Sequence, residues 1–522
     1  MFHVSRLISR RSAHLVALAA AVTVGAPALS AQQTLQTRTA TSGQAAAAGP
    51  VLQLSMEQAA QMALESNLGL KAEKLNVDVA AHGIAISEAA FLPIVTFGAS
   101  RNSRQSPPQS FADGTQSVAS SQTWSGNGTV AQNLRWYGGQ YQLTWSGQRF
   151  ETLGGQALPN PSLGSIFRVQ FTQPLWRDRT IDNERAGLET SERRRAIADV
   201  ALEQQVIATD VAARLAYLNL VGARERLNVA QQNLDIRQKS LEQAKARVAV
   251  GASAQIAVIQ AEADVASNLE QVIVAQAGIS AAEDDLRTII LDPSRPDYWQ
   301  VRLEPTDTIQ MAPREIDLDA AIKNALANRL DLVIARRNLE ITDLNLKVGE
   351  NNIKPSIDAG VNYSSSGSGG LYRLTNDIRQ VGFGSVLGDA FGAAYPDWTV
   401  GVTVGYPIGN TAAKAGLAQG QVQKRRQELT LRESELEVVR QVREAARQVQ
   451  NSRERVQATQ AALTATEQQM TAEERSFAVG LSTTLDVQIR QSQLATARVN
   501  ELNARIDYNR ALINFERVQR TQ

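Results

Sequence analysis

The chain repeats itself, and that repetition limits its architecture more than any single motif. Residues 54–93 realign on 316–355 with a constant offset of 262 and no gap. The register pairs Ala63 with Ala325, Leu64 with Leu326, Leu68 with Leu330, Leu70 with Leu332, Asn76 with Asn338 and Pro93 with Pro355. Further along, Val250-Gly251 realigns on Val479-Gly480 with an offset of 229. Self-similarity of this length predicts two tandem copies of one structural unit.

Two stretches without proline dominate, one from Pro174 to Pro293 and one from Ile408 to Gln522. Both are rich in Ala, Gln, Glu, Arg and Leu, a composition that favours helix. Leu220, Leu227, Leu234, Leu241 and Val248 recur every seven residues, and Val449, Val456, Leu463, Met470 and Phe477 do the same 229 residues later. Sustained heptads predict helices packed along narrow seams, as in a coiled coil. After Gly251 and Gly480 the seams restart, at Ile256 and at Leu485, the second continuing through Ser492, Val499, Ile506 and Ile513. A glycine between two heptad helices marks a hairpin tip, so each repeat is expected to build a long antiparallel helix pair. Turn chemistry alone also accounts for the two glycines.

Between the helices lie alternating segments. Trp398, Val400, Val402, Val404 and Tyr406 alternate with Thr399, Gly401, Thr403 and Gly405, and Ile357, Ala359, Val361 and Tyr363 with Ser356, Asp358, Gly360 and Asn362. In the first repeat, Phe167, Val169 and Phe171 alternate with Arg168, Gln170 and Thr172, and Tyr141, Leu143 and Trp145 with Gln140, Gln142 and Thr144. Segments of about ten residues with one apolar and one polar face are the signature of outer-membrane barrel strands, and an edge of a soluble sandwich is the alternative. Trp124, Trp136, Trp145, Trp176 and Trp398, five of the six tryptophans, sit in or beside these segments, where an interfacial girdle needs them.

The repeat offset changes here. Pro174 corresponds to Pro407, an offset of 233, so the first repeat holds 29 more residues between its first strand and its long helix. That length predicts one extra hairpin, turned at Trp136 to Gln140 around Gly138-Gly139. Strands are expected near 94–103, 125–134, 140–149 and 166–173, the second alternating least well. Two to six strands from one chain cannot close around water, and an open edge in lipid leaves unpaired backbone groups costing several kcal/mol each. Closure therefore requires several chains.

The amino terminus reads as a secretory signal over residues 1–31. Arg6, Arg10 and Arg11 precede an apolar run from Leu15 to Leu29, with cleavage after Ala28 or Ala31 both compatible. Residues 32–50 read as a flexible linker. Without the signal the net charge moves from +1 to −2, which gives no support to nucleic-acid binding. No cysteine occurs, which excludes disulfides and thiolate metal sites, and outside the leader His82 is the sole histidine, so a histidine-dependent triad or a multi-histidine metal site would have to be built from that one residue, for which a surface or packing role is the better reading. No nucleophile motif or phosphate loop is present, and no enzyme activity or cofactor is expected.

Paired repeats of short helices, strands, a very long helix, a Val-Gly tip and a returning helix resemble the outer-membrane efflux protein family, the TolC-like outer-membrane factors. The resemblance spans roughly residues 51–518. Its most specific phrases are Phe477-Ala478-Val479-Gly480-Leu481 through Leu485-Asp486-Val487, and Thr172-Gln173-Pro174-Leu175. It implies a mainly α chain with a membrane β-barrel part, long coiled-coil hairpins, and barrel and tunnel closed by a homotrimer in the outer membrane lipid. It also implies a passive exit duct for a tripartite efflux or type I secretion system, joined to an inner-membrane pump through a periplasmic adaptor (membrane fusion protein). The tips are implied to dock the adaptor: Val479, Gly480 and Leu481 match the family phrase in full, whereas Val250 and Gly251 are followed by Ala252. Asp486 falls where the family often places an aspartate at the periplasmic constriction. Ile489, Ser482 and Ala257 occupy other positions of that gate, so the familiar latch is not reproduced, and Asp486 is equally compatible with a solvated helix start. The usual four strands per chain give twelve in a trimer, and the extra hairpin predicts eighteen.

The expected layout is then repeat 1 over 51–292, with helices in 56–91, strands within 93–174 and a helical hairpin over 179–290 with its tip at 251. A linker over 293–315 leads to repeat 2 over 316–522, with helices in 317–351, strands within 355–407 and a hairpin over 411–518 with its tip at 480. A periplasmic or surface coiled-coil scaffold without channel activity accounts for the heptads but not for the strands. An autonomous porin accounts for the strands but not for the hairpins.

Overall fold

A computed structural model describes residues 50–106, 119–153, 159–308, 314–374 and 377–519. The expected signal segment 1–31, and all of the expected linker except Pro50, lie outside the described residues.

The repeat offsets reappear as helix boundaries. Helix α1 (Met56–Ser66) and α2 (Leu68–Ala89) recur as α5 (Leu318–Asn328) and α6 (Leu330–Asn352). Helix α3 (Asn183–Ala249) and α4 (Gln255–Ile290) recur as α8 (Thr411–Ala478) and α9 (Thr484–Gln519). The equivalent helix starts are capped by different residues doing the same work. Ser55 and Gln58 form a reciprocal capping box at α1, and the Asp317 carboxylate accepts the Ala320 N–H at α5. At 1.5 Å per residue α3 and α8 each run for about 100 Å.

Each long helix serves two tiers. In its first half α3 packs against α2 and α8 against α6, and α3 also meets α6, giving the lateral order α2, α3, α6, α8. In its second half α3 packs against α4 and α8 against α9, and α3 also meets α9, giving α4, α3, α9, α8. Helix α1 lies across α3 and α4, and α5 across α8 and α9. Three of the apolar clusters among the described residues lie in these tiers. One gathers Ala213, Tyr217, Leu220, Leu286 and Ile290 in repeat 1, its counterpart gathers Val438, Val442, Val449, Tyr508 and Phe515, and a third (Leu218, Leu502, Ile506, Ile513) joins the repeats. At that junction a Cβ on Gly222 would lie 2.7 Å from Ile506 Cδ1, so glycine in α3 leaves room for the Ile506 side chain of α9.

The segment 293–315, expected as a linker, carries a strand. Strand β6 (Arg302–Pro305) pairs in parallel with β1 (Val51–Leu54), and the fully buried Tyr217 donates its hydroxyl to the Leu54 carbonyl at 3.1 Å. Four-residue strands some 250 positions apart leave no local pattern, which is why the sequence does not announce them.

The sheet begins with four strands from repeat 1, β2 (Ile94–Ser106), β3 (Ala119–Asn133), β4 (Gln140–Leu153) and β5 (Ser162–Pro174). Repeat 2 adds β7 (Ser356–Leu374), β8 (Asp377–Val381) and β9 (Pro396–Gly405). All pairings are antiparallel in the order β2, β3, β4, β5, β7, and β7 then pairs with β8 in its far half and with β9 in its near half. The β3–β4 turn closes through the Leu134 N–H to Gly139 carbonyl bond, with Tyr137 and Gly138 at φ 55° and 69°. One face of the sheet carries Val95, Phe97, Trp145, Phe167, Val169, Tyr363, Trp398, Val400 and Val402. The other carries Thr96, Ser146, Gln170, Asn362 and Thr399.

Two differences from the sequence expectation have physical causes. The weak alternation of 125–134 comes from Gly126 and Gly128 on the apolar face: a Cβ on Gly128 would lie 2.9 Å from the Phe97 ring, and one on Gly126 3.9 Å from Trp145. Neighbouring rings fill what β3 lacks. Between β8 and β9 lies an unexpected helix, α7 (Phe383–Phe391), whose buried Val386 and Ala390 press on the apolar face. Gly367 and Gly369 of β7 make its seat, since a Cβ on Gly367 would meet the Val386 carbonyl at 2.0 Å.

Candidate functional site

Both hairpins end in the same motif. At the first tip the Gly251 N–H bonds the Val248 carbonyl (3.0 Å) and the Ala252 N–H the Arg247 carbonyl (2.8 Å). At the second, Gly480 bonds Phe477 (3.1 Å) and Leu481 bonds Ser476 (2.9 Å). These paired bonds are Schellman caps, and they require the residue after the cap to adopt positive φ. Gly251 (74°) and Gly480 (80°) supply it. The bonds turn inward and leave the side chains outward: Val250 is 78% exposed, Val479 71% and Leu481 84%, and Ala252 is exposed as well. No atom stands within 4 Å of a Cβ built on either glycine. Each tip is therefore a small apolar knob with open space at its glycine.

The tips differ in how they are braced. Below the first, Ala244, Val258 and Ala261 form a small apolar cluster. At the equivalent places below the second, Glu473 accepts from the Ser482 hydroxyl and pairs with Arg490 at 3.5 Å. Helix α4 starts at Ala254 without a side-chain cap, whereas α9 starts at a Thr483–Asp486 box. In that box the Thr483 hydroxyl and backbone N–H donate to the Asp486 carboxylate at 2.6 and 3.1 Å, and the Asp486 N–H donates to the Thr483 hydroxyl at 3.3 Å. Those bonds, the hydroxyl first, hold the Asp486 carboxyl below its ordinary value, and Arg490 adds to the effect. Within one chain Asp486 is thus engaged in starting its own helix.

The tips also meet. The Arg247 guanidinium lies 4.1 Å from the Phe477 ring centroid, and the Arg237 guanidinium bonds Gln491 at 3.2 Å and pairs with Asp264 at 3.6 Å. The structure thus brings Val250, Gly251 and Ala252 to one tip, and Val479, Gly480 and Leu481 to the other, with Asp486 one helical turn behind the second. The bracing residues Glu473, Ser482, Thr483 and Arg490 were not anticipated. The Thr-x-x-Asp spacing was the available signal for the cap, whereas the Arg247–Phe477 contact has none.

His82 is exposed on α2, and among the described residues no group of three or more His, Cys, Asp or Glu side chains is arranged to hold a metal ion.

The sequence profile of the outer membrane efflux protein family matches residues 167–290 and 321–518, well over half of the chain. Proteins of curated function give no match by sequence. Among solved structures, the CmeC outer membrane channel of Campylobacter jejuni shares the fold with a TM-score of 0.65 at 13% identity, over 89% of this chain and 85% of that one. The outer membrane protein VceC of Vibrio cholerae does so with 0.62 at 16% identity, over 89% and 95%. The open-state MtrE outer membrane channel of Neisseria gonorrhoeae does so with 0.59 at 16% identity, over 89% and 88%. Identities this low speak to the fold alone, and it is the profile, running through both strands and hairpins, that gives kinship. The chain belongs to the outer membrane efflux protein family.

Proposed function

We propose that the protein is the outer-membrane exit duct of a tripartite efflux or type I secretion system. Its sheet lies in the outer membrane as part of a homotrimeric barrel, its hairpins form a periplasmic tunnel, and its tips receive a periplasmic adaptor that links it to an inner-membrane pump. Conduction is passive. The observation that carries this reading is the joining, in one chain, of a sheet with one apolar and one polar face to two hairpins whose longer arms run about 100 Å and that end in exposed Val-Gly knobs. Family membership and the shared fold support it.

The apolar sheet face suits lipid and the polar face suits a water-filled interior. Val250, Gly251 and Ala252, with Val479, Gly480 and Leu481, are the proposed docking surface, and Asp486 is the proposed constriction residue. Three symmetry-related copies of Asp486 would present a ring of carboxylates to the axis, a geometry that attracts cations. The test is membrane fractionation combined with export measured with and without the partner adaptor. Recovery in the outer membrane and adaptor-dependent export are expected, and a soluble periplasmic protein that leaves export unchanged when deleted overturns the reading.

A further inference from the structure

The sheet ends in two open borders, one formed by β2 and the other by β9 with the short β8 beyond it, and the tiers below it end in helices that continue β2 and β9. Helix α2 leads directly into β2, and β9 leads directly into α8. Both lateral helices expose apolar residues at helical spacing. On α2 these are Leu68 (59%), Leu75 (63%), Val79 (68%) and Ile86 (75%), and on α8 Val422 (70%), Leu429 (57%) and Leu436 (73%). An unpaired strand edge in lipid and an uncovered apolar stripe in water are both costly, and here they lie along the same two borders. An occupant that covers both borders at once must present a matching strand and a matching helix, which a second copy of this chain does.

We propose that β2 pairs antiparallel with β9 of a neighbouring copy, with Ile94 opposite Gly405, so that every copy contributes six staves and three copies close an eighteen-stranded barrel. The inference rests on the duct reading and supplies its strand number and register. Direction agrees: along the path β2, β3, β4, β5, β7, β9 the strands alternate, so β2 and β9 run oppositely and copies meet antiparallel. Faces agree as well. Val95 and Phe97 are on the apolar face at odd positions and Trp398, Val400, Val402 and Val404 at even ones, so a register that keeps the faces together pairs residues whose numbers sum to an odd value. Ile94 with Gly405 satisfies this, sets the helix-side ends of the two strands level, and gives all ten residues of β9 a partner between Ile94 and Ser103. It sets Val95 beside Val404, Phe97 beside Val402 and Arg101 beside Trp398.

The stagger is consistent with a closed barrel. Within one copy the ladder from Ile94 passes through Ala131, Gln142, Gln170 and Asn362 to Thr399. The proposed register carries Thr399 to Ser100 of the next copy, a rise of six residues per copy. Three copies then give a shear of about 18 and a strand tilt of about 35°, within the range of membrane barrels. At a strand spacing of about 4.8 Å and that tilt, eighteen strands make a circumference of about 105 Å. Four helices abreast in each tier of three copies, about 9 Å apart, make about 110 Å. Twelve strands would make only about 70 Å by the same spacing. With eighteen, the membrane part is as wide as the tunnel it drains.

The native chain has no cysteine, so engineered pairs report cleanly. Val95→Cys with Val404→Cys, and separately Ala99→Cys with Val400→Cys, are expected to form disulfide-linked trimers in outer-membrane vesicles. Phe97→Cys with Val404→Cys, one diagonal off register, is expected to stay reduced. Native mass spectrometry of the unlinked protein counts the copies. Trimers that leave both in-register pairs reduced overturn the inference while sparing the duct, as does Val404→Cys crosslinking to Leu143→Cys on β4, the result if β2 and β3 stay outside the barrel. A protein that remains monomeric in the vesicles overturns the duct reading itself.

Discussion

Arg247, near the end of α3, holds its guanidinium 4.1 Å from the ring centroid of Phe477, near the end of α8, so the two tips of one chain are tied together across the repeat boundary. The contact is half-buried and lies within a turn of the small Ala244, Val258 and Ala261 cluster. It is worth about 0.5–1 kcal/mol, enough to bias how the tips sit but not to lock them. Arg247→Ala or Phe477→Ala should therefore broaden the distance distribution between spin labels at Ala252 and Leu481 without lowering the unfolding temperature. A distribution identical to wild type excludes the tie.

At Gly480 a side chain meets open space but is strained by the positive φ. Gly480→Trp should block the adaptor's access at a cost to the fold of about 1–3 kcal/mol, confined to the tip. Crosslinking to the adaptor should be lost while trimers persist, and normal crosslinking in that variant would falsify the docking assignment. Gly251→Trp should have the smaller effect on export, because Ala252 already presents less apolar surface than Leu481, and Ala252→Leu should strengthen adaptor capture.

Thr483 caps α9 through its hydroxyl, so Thr483→Ala should raise hydrogen exchange in the first turn of α9, with a loss of about 1 kcal/mol in local stability. The pH dependence has a definite sign. The Asp486 carboxyl is held below its ordinary value of 3.8, so its contribution is fully present above that value and is lost only as pH falls through the lowered one. Between pH 5 and 8 the Thr483–Asp486 cap should therefore show no pH dependence in hydrogen exchange of the first turn of α9.

Asp486→Asn tests the constriction separately from the cap. If the carboxylates line the axis, planar-bilayer conductance of the variant should lose most of its block by divalent cations. Unchanged block retires the gate role and leaves Asp486 as a helix-start residue.

Gly222→Leu would drive a side chain into Ile506, which occupies the space beside the glycine where α3 meets α9. Overpacking of this kind costs about 1–3 kcal/mol. The expected result is a lower unfolding temperature together with weaker protection across both hairpins.

Local repetition made much of this fold readable. The heptads from Leu220 and Val449, the glycines at 251 and 480, and the alternation of Trp398 to Val404 are patterns within one element, and their elements stand where those patterns lie. What stayed hidden depends on a partner far along the chain. Gly126 and Gly128 blur the alternation of β3 because Phe97 and Trp145 supply the bulk, and β1 and β6 have meaning only together. Helix α7 was legible in principle, since Val386, Leu387, Ala390 and Phe391 follow helical spacing within a stretch otherwise read as strand and loop. At the tips, glycine and valine could be read directly, but the bracing by Glu473 and Arg490 needed the two arms of the hairpin side by side.

Helices α4 and α9 have the same length, 36 residues each, and α3 and α8 differ by one. Both knobs of a chain therefore reach the same depth, and a partner gripping both must find them level. A heptad inserted in one hairpin alone would add about 10 Å to that arm and leave the other out of reach. Lengthening or shortening the duct thus demands matched insertions or deletions in both halves, so descent in this lineage should show the two hairpins changing length together while the loops between strands vary freely.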